Sequence, residues 1–142
     1  MKKALREQDN KLIDYFSKQE NVRLAYLYGS AAKGKEGKLS DVDIGVLLDD
    51  SLSKKERFES QLKFIGDITE ILKTNRIDLV VMNDAPNSLN YEIIKTNRPL
   101  LIRNKTDKID FEYRVLLRYL DRKYYEKRAA SEFLKKVAVK GI

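Results

Sequence analysis

Apolar and polar positions along this chain repeat with two periods, and each change of period marks a new element. Leu5, Leu12, Ile13 and Phe16 recur at helical spacing and predict a helix over residues 3–19. Val22, Leu24, Tyr26 and Tyr28, with Ala25 and Leu27 between them, predict a buried strand. From Asp41 to Leu48 the period is two, so Val42, Ile44, Val46 and Leu48 share one face while Asp41, Asp43 and Gly45 share the other. Ser53-Lys54-Lys55-Glu56 has the form of a capping box, opening a helix whose inward face is expected at Phe58, Leu62, Ile65, Ile68 and Leu72. The β-branched run from Arg76 to Met82 predicts another strand. Asp84-Ala85-Pro86 starts a further helix with Leu89, Ile93 and Ile94 inward, and Pro99 leads into a short strand over Leu100–Arg103. A long helix from Thr106 and Asp107 carries Ile109, Tyr113, Leu116, Leu117, Leu120 and Tyr124 at intervals of three and four, a stripe expected in the core. Strands and helices mixed in this order predict an α+β fold.

Two of these junctions carry chemistry. Tyr28-Gly29-Ser30 ends a strand, and Ser30-Ala31-Ala32-Lys33 reads as a short helix stopped by Gly34. Such a junction presents free backbone N–H groups at the positive end of a helix, and glycine lets a phosphate approach them closely. Ser30 is then both a phosphate ligand and a helix cap. Ten residues later come Asp41-Val42-Asp43. Two carboxylates side by side repel unless solvated or shared by a cation, and Mg²⁺ suits them because it takes one or two carboxylates together with phosphate oxygens and water. Asp78 interrupts an otherwise apolar strand. If that strand lies beside the one bearing Asp41 and Asp43, Asp78 reaches the same place, as a second metal ligand or as the base that takes an acceptor's proton. The plain alternative is an ordinary turn followed by a solvated strand entrance.

Gly29 and Ser30, ten intervening residues, Asp41 and Asp43, and a third acid at Asp78 together resemble the minimal nucleotidyltransferases of the DNA polymerase β superfamily. The resemblance covers roughly residues 1–103, and the small size is similar to the antitoxin branch paired with HEPN ribonuclease toxins. It implies a polymerase β-type fold: a small mixed sheet packed with helices, followed by a C-terminal helical extension. It also implies ATP as donor, two Mg²⁺ ions held by Asp41, Asp43 and Asp78, and transfer of AMP to a tyrosine of the HEPN partner, silencing it. Gly29, Ser30 and Lys33 are the implied triphosphate contacts. Many members carry arginine where this chain has Lys33, which keeps the charge and loses the planar fork.

Length and composition narrow the rest. A chain of 142 residues that is 42% hydrophobic is expected to be one domain, 1–142, with a catalytic core of about 1–103 and the extension over about 104–142. There is no cysteine and no histidine, which excludes disulfides, thiolate nucleophiles, Ser-His triads and imidazole bases. No apolar run approaches the ~20 residues of a membrane helix and the amino terminus lacks a signal-peptide core, so a cytoplasmic protein is expected. Residues 103–142 hold 12 lysines and arginines against 6 acids, whereas residues 1–102 hold 17 against 16. That basic tail is either a solvated face or a surface for RNA, triphosphate or an acidic partner, with the helix from Asp107 to Arg128 as docking candidate. RNA binding, with Tyr124 and Tyr125 stacking bases, is the weaker reading. Two other functions fit the residues: a non-catalytic antitoxin that masks its partner by contact, and a small-molecule nucleotidyltransferase of the aminoglycoside type. A basic surface serves a polycationic drug poorly.

Overall fold

The computed structural model describes residues 7–29 and 42–140. Four strands form one mixed sheet: β1 (Val22–Tyr28), β2 (Val42–Leu48), β3 (Ile77–Val81) and β4 (Pro99–Ile102), in spatial order β3-β2-β1-β4. β1 runs antiparallel to both β2 and β4, and β2 runs parallel to β3. The parallel pair needs a crossover, which α2 (Lys54–Leu72) supplies. The remaining helices are α1 (Glu7–Ser17), α3 (Asn87–Lys95) and α4 (Lys105–Lys140). The described part of the first helix is thus shorter than the 3–19 expected from its apolar spacing.

Both faces of the sheet are covered, which is why β1 is apolar at nearly every position. Ala25, Leu27, Ile44, Val46 and Leu79 pack on one side against Leu12 and Phe16 of α1 and Phe64 and Ile68 of α2. Leu24 and Tyr26 pack on the other against Ile93 of α3 and Phe111 and Val115 of α4. Gly45 lies on this second face, and a Cβ there would meet Ile93 Cδ1 at 3.0 Å and Met82 Sδ at 3.2 Å, so its missing side chain is what lets α3 close down.

The Ser53 capping box is present in both directions, with Glu56 N–H donating to Ser53 Oγ (3.1 Å) and Ser53 N–H to Glu56 Oε1 (2.8 Å). The inward face of α2 differs from the expected one. Phe58 and Leu62 are 57% and 54% exposed, while Phe64 and Ile68 are buried. The helix is turned so that Gln61 Nε2 donates to the Leu79 carbonyl (2.7 Å) and the Arg57 fork grips Asp84 (2.9 and 2.7 Å). β3 is an edge strand, and these polar side chains occupy the inward stripe because its carbonyl and the turn after it need partners. Asp84 therefore serves Arg57, and α3 starts at Asn87 after Pro86 with no side-chain cap.

The long helix corrects the expectation most. Among the described residues of α4 only Phe111 and Val115 are buried, while Ile109, Tyr113, Leu116, Leu117, Leu120 and Tyr124 are all exposed. At about 100° per residue that stripe lies on the far side of the helix from Phe111 and Val115. Tyr26 Oη holds the inner side by donating to Glu112 (2.6 Å). Residues 121–136 are exposed throughout, so the second half of α4 projects from the body. Among the described residues no helix is long and apolar enough to cross a membrane.

Candidate active site

The carboxyl end of β1 and the amino ends of β2 and β3 meet at one edge of the structure. Tyr28 pairs with Asp43 across the antiparallel ladder, and Asp43 pairs with Asp78 across the parallel one. Residues in register on adjacent strands, about 4.8 Å apart, point to the same face. Tyr28, Asp43 and Asp78 therefore form a row across three strands, with Asp43 half-buried and Asp78 exposed. Asp78 reaches this row because β3 lies beside β2, the condition that the sequence pattern sets.

Gly29 completes the constellation. Its φ of +75° lies in the left-handed region, and a Cβ on it would sit 2.2 Å from Asp43 Oδ2. The glycine thus turns the chain sharply after β1 and leaves room for the Asp43 carboxylate, two demands that no other residue meets together. Ser30, Lys33 and Asp41 lie outside the described residues.

Tyr28 is the member of this row that the sequence reading passed over, since it looked like one more apolar position of β1. Its place immediately before Gly29 was the available signal. Burial pushes its phenol up to about 12, with the negative charges of Asp78 and then Asp43 adding to the effect. The hydroxyl is therefore held neutral next to the acids.

The donor set suits a divalent cation. Asp43 and Asp78 offer carboxylate oxygens from adjacent strands, with no imidazole or thiolate anywhere in the chain, and oxygen ligands are what Mg²⁺ prefers. Among the described residues no group of three or more potential ligands gathers, Asp41 being outside them.

The family described as polymerase beta, nucleotidyltransferase matches residues 10–106. A comparison with curated proteins found no match to this sequence. Among solved structures, a toxin-antitoxin with AMP-PNP aligns with TM-score 0.64 at 24% identity, covering 89% of this chain and 98% of that one. The toxin-antitoxin MntA-HepT aligns with TM-score 0.63 at 20% identity, over 89% and 97% of the two chains. A tri-AMPylated HEPN toxin of Shewanella oneidensis in complex with its MNT antitoxin aligns with TM-score 0.60 at 22% identity, over 89% and 96%. These likenesses establish the fold: a four-stranded mixed sheet with a long C-terminal helix. The family match spans more than half of the chain and includes Gly29, Asp43 and Asp78, so this protein belongs to the polymerase beta nucleotidyltransferase family.

Proposed function

We propose that this protein transfers AMP from ATP to a tyrosine hydroxyl of a HEPN-type toxin and acts as its antitoxin. The observation that carries the reading is the registered pair Asp43 and Asp78, with Gly29 shaped around the first of them. In this reading the turn at Gly29 and Ser30 binds the triphosphate through backbone N–H groups, with Lys33 as an added cation. Asp41, Asp43 and Asp78 would hold Mg²⁺, which supplies neutralisation of the charge on the phosphate oxygens. The acceptor oxygen attacks the α phosphorus, its bond to the bridging oxygen breaks, and pyrophosphate leaves. Asp78, the exposed acid of the pair, takes the acceptor's proton or completes a second metal position. Tyr28 stays protonated beside the acids and adds no charge to them.

The partner is inferred from two observations. Solved relatives of this fold are toxin-antitoxin complexes, one of them with an AMPylated HEPN toxin. The outer stripe of α4, from Ile109 through Leu117 to Tyr124, is apolar and exposed, as a docking face for a protein partner would be. Residues 1–142 would then act as one catalytic unit in the cytoplasm that borrows its acceptor from the partner. Incubation of chain and partner with Mg²⁺ and ATP labelled at the α phosphorus tests this. Label should pass to the partner, and label at the γ phosphorus should not. Retention of full transfer in an Asp43→Asn, Asp78→Asn variant would refute the assignment, whereas a partner silenced with no label on it would favour masking by contact.

A further inference from the structure

A cavity of about 490 Å³ opens on the same sheet face at the opposite end of the strands. Leu47 lines it, four residues beyond Asp43, which places it roughly 13 Å along β2 from the acids. Ile93 and Met82, packed on Gly45, stand between the two. Its walls come from the ends of β2 and β3, the start of α3 and the first turns of α4.

The polar groups of this cavity are unevenly matched. Arg23 is engaged by Asp49 (3.5 Å) and Asp107, and Arg57 by Asp84. Arg114 and Arg118, one turn apart on α4, both line the cavity and have no carboxylate partner among the described residues. Asn87 and Asn90, one turn apart on α3, line it too. Asn87 Nδ2 donates to the Val115 carbonyl (3.1 Å) and Asn90 Nδ2 to the Met82 carbonyl (3.0 Å), which fixes both amides. Both Oδ1 atoms are left buried without a partner, and Asn90 is only 5% exposed. An unmatched buried acceptor is costly, so two of them in residues lining one cavity call for N–H donors from elsewhere. Leu47, Met82, Phe111 and Val115 supply its apolar lining.

We infer that this cavity binds a nucleoside monophosphate, with base N–H groups on Asn87 and Asn90, the ring on Phe111 and Val115, and the phosphate on Arg114 and Arg118. Two guanidiniums suit a phosphate, paired amide oxygens suit an amino base, and the volume lies in the range of small-molecule sites. Three aspartates also line the space; Arg23 bridges Asp49 and Asp107 and offsets one of their two charges, and Asp50 is exposed. The inference does not depend on the transfer reaction, because the catalytic acids take no part in the site.

Calorimetric titration with AMP and with GMP in EDTA, which withholds metal from Asp43 and Asp78, tests it. One saturable site per chain is expected for at least one of the two nucleotides. It should survive Gly29→Val, which obstructs the triphosphate turn. It should weaken about tenfold or more in the folded double variant Arg114→Gln, Arg118→Gln, and ribose 5-phosphate, which lacks the base donors, should bind weaker by a similar factor. The inference is overturned if neither nucleotide binds, meaning that the cavity holds water only. It is equally overturned if binding disappears with Gly29→Val and persists in the arginine variant, or if ribose 5-phosphate binds as tightly as the nucleotides.

Discussion

Gly29 and Asp43 share one volume: the side chain that Gly29 lacks would sit 2.2 Å from Asp43 Oδ2. Gly29→Val therefore forces the carboxylate aside and puts a β-branched residue at φ +75°. The left-handed backbone alone costs a non-glycine residue roughly 1–2 kcal/mol. Urea denaturation should show at least that loss, and AMP transfer should fall much further than stability does. A variant with wild-type transfer would place the chemistry elsewhere.

The registered carboxylates make the opposite prediction for stability. Asp43→Asn with Asp78→Asn removes two neighbouring negative charges, so the melting temperature without metal should hold or rise while transfer is lost. A fall of several degrees in metal-free buffer would mean that these acids are structural.

Tyr28 reports on the same row through its ionisation. Its pKa is raised from 10.0 to about 12, so the folded state keeps the proton more tightly than the unfolded chain. Its contribution to stability is complete below pH 10 and fades as pH climbs through about 12. Difference ultraviolet titration against Tyr28→Phe isolates this phenol. In the Asp43→Asn, Asp78→Asn variant its pKa should drop yet stay above 10, because burial is the largest cause. Ionisation near 10 in the wild-type protein would contradict the placement of Tyr28 beside the acids.

The capping box offers a control remote from the chemistry. Ser53→Ala removes the acceptor for Glu56 N–H and should cost about 1 kcal/mol, read from denaturant midpoints. AMP transfer by the folded fraction should not change. A selective loss of transfer would tie α2 to the site in a way the geometry does not.

Local rules were legible where one element decides the outcome. The capping box at Ser53, the two-residue period of β2 and the strand at Asp78 could all be read from the chain, because each depends on neighbours in sequence. The helix faces were not, because helical spacing gives a stripe and leaves open which side meets the sheet. In α4 the larger stripe of Ile109, Tyr113 and Leu120 points outward and the small pair Phe111 and Val115 points inward. In α2 the need of the β3 edge for Gln61 and Arg57 turned Phe58 and Leu62 to solvent. Tyr28 was hidden for the same reason: its role comes from register with Asp43 on another strand.

The mass of the partner toxin tests the central claim most directly. After incubation with the wild-type chain, Mg²⁺ and ATP, intact-mass spectrometry should find the toxin heavier by whole AMP units located on a tyrosine, with its ribonuclease activity silenced. With an Asp41, Asp43 and Asp78 to alanine triple variant the mass should stay unchanged and the ribonuclease active. A toxin silenced equally well by that variant, with no gain in mass, would contradict the account.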